Sequence, residues 1–304
     1  MYLHKDKQLL EDIINATNEK YGIESAIIEK DYYVTMILKQ LAKRSDIVVF
    51  KGGTSLSKCY QVINRFSEDI DITFSEHIGE ARRKKLKYNI MQPISEELEL
   101  PISNWAKIES NKDLSQYKFQ YEPIAGMYNE AMLPEVKVET ALGSYAFPVE
   151  NIEVTSYIYQ YLEEEEETEL IEEYDLKPFT MHVQSIERTY IDKVFALCDY
   201  FIEGKSKRYS RHLYDLYKMQ SRITFDELFC KLVEEVRNHR VRMGEKICPS
   251  ALENVNIPEV LQEICETGFY KDDYAAITEY FMHDIVSYED AVKNLKDIAE
   301  SKCF

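Results

Sequence analysis

The chain has 304 residues, 45% of them hydrophobic and 30% charged, with only 8 prolines and 9 glycines. That is enough for one large core or two domains, and no apolar run approaches the roughly 20 residues a membrane span needs. The formal net charge of −18 argues against a wide, sequence-independent nucleic-acid surface. The opening MYLHKDKQLLEDI is charged and amphipathic and does not read as a signal peptide. Cys59, Cys198, Cys230, Cys248, Cys265 and Cys303 lie far apart with no CxxC pair. They read as cytosolic thiols and not as a disulfide framework or zinc site, so the expected location is the cytoplasm.

In chain order, residues 5–21 have a helical period, and Ser25 precedes a second long helix, AIIEKDYYVTMILKQLAKR. Within it Glu29, Lys30 and Asp31 form a charged block in a mostly apolar segment. The block is either one exposed stripe or a brace for a neighbouring site. Ile47 to Phe50 reads as a buried strand, Gly52-Gly53 as a turn, and Thr54 to Ile63 as a helix. Asp69 to Phe74 alternates acidic and apolar positions as a second strand. Residues 80–99 read as a helix that Pro93 kinks or splits. Two period-2 stretches follow, Lys118–Tyr121 and Glu135–Glu139. The acidic run from Glu163 to Glu173 reads as a solvated boundary region. Beyond Pro178 the pattern is helical throughout: Ser185 caps a helix ending at Gly204, the next spans 208–219, and others lie at 225–240, 258–267, 270–282 and 287–300. The expected organisation is a mixed-sheet α/β domain over residues 1–175 and a helical bundle over 176–304.

The chemistry centres on KGGTSLSKCYQVINRFSEDIDITF, residues 51–74. Small residues ahead of a helix let backbone N–H groups cradle phosphate. Asp69 and Asp71 are two apart on a strand and share a face. Paired carboxylates bind magnesium, and magnesium binds nucleotide phosphates. Glu139 shares a face with Glu135 and Lys137 and could join as a third carboxylate. In the helical half, Lys193 stands among Ile191, Val194, Phe195 and Leu197, and Asp215 among Leu213, Tyr214 and Leu216. A helical hairpin could bring Lys193 and Asp215 side by side, as functional residues or as a structural ion pair. His212 reads as structural. Two basic clusters stand out against the acidic background: Arg82 to Lys87, and Lys205, Lys207, Arg208 and Arg211. The second is the candidate for RNA contact, although either could be a solvated face.

Four stretches together resemble the AbiEii/AbiGii-type toxin family of nucleotidyltransferases, relatives of the MenT toxins and of the polymerase β-like superfamily. They are IEKDYYVTMIL (27–38), FKGGTSLSKCY followed by RFSEDIDI (50–72), IDKVFAL (191–197) and RHLYDLYKM (211–219). The resemblance implies an α+β, polymerase β-like domain with an appended C-terminal helical bundle that contributes to the active-site cleft. It implies a phosphate-binding turn at Gly52, Gly53, Thr54 and Ser55, with Arg65 and Ser67 as motif neighbours. Asp69 and Asp71, with Glu139 more loosely, would hold Mg2+ or Mn2+. Lys193 would contact the nucleotide, and Asp215 would be the later essential acid. The implied activity is transfer from a nucleoside triphosphate, in some members to the tRNA acceptor end, which blocks translation. A cognate antitoxin partner and a role in abortive infection come with it. Two other readings stay open: transfer to a protein hydroxyl, and a nucleotide-binding regulator without catalysis.

Overall fold

The computed structural model describes residues 1–65, 67, 69–79, 84–108, 114–124, 133–278 and 284–304. The chain divides into two compact units, Met1–Cys59 with Glu68–Val183, and Tyr60–Ser67 with Gln184–Phe304.

The first unit is built on a six-stranded mixed sheet. Its strands are β1 (Val48–Lys51), β2 (Ile70–Phe74), β3 (Leu114–Gln120), β4 (Glu135–Tyr145), β5 (Val149–Val154) and β6 (Phe179–Gln184), in the spatial order β3-β4-β2-β1-β6-β5. The pairs β1–β2 and β3–β4 are antiparallel, and β2–β4 and β1–β6 are parallel. Val48, Val49 and Phe50 are all buried, as expected of a central strand covered on both faces. Helices α1 (Lys7–Tyr21) and α2 (Ser25–Arg44) pack on each other. In α2 apolar residues occur all round the circumference, and Tyr32, Tyr33, Met36, Ile37, Leu38 and Leu41 are buried together. Helix α3 (Gly52–Lys58) follows β1. It is shorter than the predicted 54–63, because the chain leaves the helix at Cys59. Pro93 lies in the first turn of α4 (Gln92–Leu98), directly after a wide π turn over Leu86–Met91. The proline therefore follows a change of helix type, where its missing N–H costs little. The acidic run forms two short helices, α5 (Tyr157–Glu164) and α6 (Thr168–Glu173).

Strand β6 corrects the reading that everything beyond Pro178 is helical: Phe179–Gln184 is a strand beside β1, with Phe50 opposite Val183. The helices of the second unit are α7 (Ile186–Ile202), α8 (Arg211–Met219), α9 (Glu227–Met243), α10 (Ile257–Thr267) and α11 (Tyr288–Glu300). The predicted cap is present at Ser185, whose side chain accepts from Arg188 N, and Ser287 caps α11 in the same way by accepting from Asp290 N. Between α10 and α11 the chain makes one helical turn, Lys271–Asp273, then a π turn, Tyr274–Thr278. The rest of the predicted 270–282 helix lies outside the described residues. The structure also corrects the cysteine reading. It bonds Cys230 to Cys303, with Cα atoms 4.4 Å apart across a sequence separation of 73, a pairing that carries no spacing signal. Cys59, Cys198, Cys248 and Cys265 remain thiols. Among the described residues no helix is long and apolar enough to cross a membrane.

Candidate active site

In the first unit the carboxylates gather where β1, β2 and β4 run side by side. Asp71 lies opposite Lys51 on β1 and opposite Glu139 on β4, so all three occupy one row across the sheet. Partners in register put their side chains on the same face. Glu139 therefore stands beside Asp71 on the face that the sequence reading assigned to it. Gln116 on β3, next in the row, donates from Nε2 to Glu139 Oε1 at 2.6 Å and fixes that carboxylate. Sequence reasoning missed Gln116, since its role depends on a strand register.

Asp69 stands one residue before β2. Thr54 Oγ1 donates to the Asp69 backbone carbonyl at 2.6 Å and ties the approach to β2 down on α3. Ser55 Oγ donates back to the Gly52 carbonyl at 2.9 Å. Both hydroxyls are buried and serve the geometry of the turn. Gly52 has φ +81°, and a β-carbon built there would lie 2.1 Å from Asp71 Oδ2. The glycine is thus required twice, once by its left-handed backbone and once by the carboxylate that rests on it. Gly52→Ala is expected to displace Asp71, destabilise the fold by about 1–2 kcal/mol from the backbone alone, and lower nucleotide transfer at least tenfold. Urea melts and label transfer measured on one preparation would check this, and wild-type values in both would refute it.

Among the described residues, Asp69 Oδ1 is closed to solvent and has no hydrogen-bond partner. It makes only an ion pair with Lys137 Nζ at 3.6 Å, while the side chain as a whole is 37% exposed. A buried carboxylate oxygen left without a donor is costly, and it suits a cation. A metal here would be held by Asp69 and Asp71, with Glu139 adjacent. Among the described residues no three acidic, imidazole or thiol side chains converge to enclose a metal by themselves. Magnesium takes one or two protein carboxylates and completes its shell with water and phosphate oxygens.

The Glu29-Lys30-Asp31 block is a brace. Glu29 accepts from Ile124 N at 3.0 Å, and Lys30 Nζ donates to the Leu133 carbonyl at 3.1 Å. Asp31 accepts from Tyr157 N at 3.0 Å and pairs with Lys58 at the end of α3. Burial, opposed by Asp69, draws the Lys30 ammonium down to about 8.

The second unit holds the other predicted residues. Arg65 makes a bidentate contact with Asp215, Nε to Oδ1 and Nη2 to Oδ2, both at 2.7 Å. Lys193 Nζ on α7 donates to Asp215 Oδ2 at 2.6 Å. All three side chains are buried, and Asp215 is fully enclosed. The helical hairpin thus joins Lys193 and Asp215 as an ion pair, and Arg65, expected as a neighbour of the carboxylate motif, is its third member. Burial works to raise the Asp215 carboxyl, but Arg65 and Lys193 outweigh it and hold the group well below the usual carboxylate range. One residue earlier, Tyr214 Oη accepts from Asn64 N at 3.0 Å. Asn64 and Arg65 are therefore held on α8 at two consecutive positions. His212 is kept well below its ordinary pKa by burial and by Lys193 and Arg211, so it is neutral at physiological pH. Ser67 is half-buried. Of the basic clusters, Arg82 and Arg83 lie outside the described residues, and Lys87 turns inward to the Trp105 and Ile108 carbonyls.

The family model described as nucleotidyl transferase AbiEii toxin, type IV TA system, matches residues 37–294. Among solved structures the chain is similar to MenT4, a nucleotidyltransferase toxin from Mycobacterium tuberculosis H37Rv. The TM-score is 0.50 and the identity 16%, over 96% of this chain and 88% of that one. The mixed sheet with its many helices matches that fold. No curated protein sequence matches the chain.

Proposed function

The chain belongs to the AbiEii family of nucleotidyltransferase toxins of type IV toxin–antitoxin systems, and on that footing we propose that it moves a nucleoside monophosphate from a nucleoside triphosphate to the 3′ acceptor end of tRNA, so stopping translation. The observation that carries the reading is Asp69 Oδ1, buried without a hydrogen-bond donor, two residues from Asp71 and in a sheet that sets Glu139 beside Asp71. Asp69 and Asp71 would hold magnesium, or manganese, which when bound neutralises triphosphate charge and orients the phosphate under attack. The chain's own residues supply the rest. Gly52 and Gly53 let backbone amides approach phosphate oxygens, with Thr54 and Ser55 shaping the turn. Lys193 and Arg65, the two cations that meet at Asp215, are assigned to the nucleotide. Asp215 touches neither metal nor nucleotide in this reading; it is a positioning residue for the two cations. Membership of the family implies a cognate antitoxin as partner.

The test is incubation with each of the four labelled nucleoside triphosphates, magnesium, total tRNA and cell protein as parallel acceptors. Label is expected on tRNA. Label on protein with none on RNA would replace the acceptor and leave the chemistry standing. No transfer with any nucleotide would remove the reading, and toxicity that survives Asp69→Ala with Asp71→Ala would point to a non-catalytic partner-binding role.

A further inference from the structure

In an acidic chain some exposed cations find carboxylates. Lys7 pairs with Glu122, Lys20 with Glu164 and Glu165, Lys177 with Glu172, and Lys271 with Glu289. The loop between α7 and α8 gathers three close together that do not. Lys205 pairs with Glu203 at 2.9 Å, but Lys207, Arg208 and Arg211 are exposed and make no ion pair among the described residues. Three neighbouring cations repel one another and gain nothing from solvent-exposed acids elsewhere. Their clustering on one loop concentrates positive potential against a net charge of −18.

The loop is also built and held. Asp273 accepts from Arg208 N at 2.8 Å, from Ser210 N at 3.2 Å and from Ser210 Oγ at 2.6 Å. Ser210 Oγ lies 2.6 Å from Thr278 Oγ1. Arg208 sits at φ +72°, a left-handed conformation that a side chain with a β-carbon adopts only under constraint. Asp273 supplies the constraint, and the backbone presents the basic side chains outward. Beside them three rings lie in nearly parallel planes. Tyr200 and Tyr209 stack at 3.5 Å with 17° between planes, and His212 lies 6.0 Å from Tyr200 at 6°. All three residues are half-buried. Cations interleaved with parallel rings are the arrangement that binds a single strand, phosphates on the cations and bases on the rings.

We propose that the Lys205–His212 segment, with Tyr200, is a docking site for single-stranded RNA. Lys207, Arg208 and Arg211 take its phosphates, and a base lies against the Tyr200–Tyr209 stack. This rests on the RNA-acceptor reading above and deepens it, because it assigns a place where the acceptor end binds. Binding is measured without nucleotide or metal, so it stands or falls apart from transfer.

The experiment is fluorescence anisotropy of a labelled, unstructured oligoribonucleotide titrated with the full chain over a salt series. The variant Lys207→Ala, Arg208→Ala, Arg211→Ala is expected to bind at least tenfold more weakly. Its slope of log affinity against log salt should flatten by about 2, three phosphates at roughly 0.7 each. Tyr209→Leu is expected to lose about tenfold with the slope unchanged, and Tyr209→Phe to bind as wild type. An unchanged slope in the triple variant overturns the proposal; its exposed side chains leave the fold intact, which a thermal melt checks. Inorganic polyphosphate bound as tightly as RNA, with Tyr209→Leu indifferent, overturns the stacking role. Oligonucleotide binding that obeys these rules without any label transfer would sink the transfer reading and leave this site standing.

Discussion

Asp69→Asn and Asp71→Asn are each expected to cut nucleotide transfer by about a thousandfold, roughly 4 kcal/mol of lost charge stabilisation, with melting temperatures within about 2 °C of wild type. The two results together matter more than either loss. Each asparagine keeps the shape of the aspartate. Asp71 therefore still rests on Gly52, and the Asp69 carbonyl still accepts from Thr54. What disappears is negative charge at a place where one carboxylate oxygen has no donor. If Asp69 were only the ion-pair partner of Lys137, a half-exposed pair at 3.6 Å, the substitution would change little beyond about 1 kcal/mol of stability. Loss of activity in a stable protein would thus separate a metal ligand from a surface salt bridge. Less than tenfold loss in both variants would remove the metal pair.

The turn and its two strands were legible because their signals are local. A short apolar run, paired glycines and an alternating acidic strand each fall within a few residues, and α2 announced itself by apolar residues all round. What was not legible depends on distance along the chain. Arg65 and Asp215 are separated by 150 positions, and nothing near either residue points to the other. The brace at Glu29, Lys30 and Asp31 reads locally as a charged stripe; its partners lie at Lys58, Ile124, Leu133 and Tyr157. Gln116 gains its role only from the β3–β4 register. Strand β6 was hidden for a different reason. Phe179–Gln184 is a short element directly ahead of a long, well-capped helix, and the strong helical period behind it dominates any window of useful length.

Asp215→Asn is expected to be the most destabilising of these substitutions, at about 3–5 kcal/mol, read as a lowered urea midpoint. The carboxylate is fully buried and is shared by Arg65 and Lys193, which are themselves buried. An asparagine would leave two enclosed cations facing a neutral amide. Removing one cation as well should relieve part of the penalty, so Asp215→Asn with Lys193→Met should be more stable than Asp215→Asn alone. The pH dependence has a definite sign. A carboxyl held below its ordinary 3.8 contributes stability that is fully present above that value and is lost as pH falls through it toward the folded-state pKa. The gap between wild type and Asp215→Asn should therefore be constant from neutral pH to about 5 and shrink below about 4. A gap that widens on acidification would show that Asp215 is protonated in the folded protein. Kinetics distinguish the partners. Lys193→Met, which removes a cation assigned to the nucleotide, should raise KM for the nucleoside triphosphate in a protein that still folds. For a residue that only positions others, Lys193→Met and Asp215→Asn together should cost no more in transfer than the worse of the two alone. Costs that multiply would make Asp215 an independent participant in the reaction and not the anchor of Arg65 and Lys193.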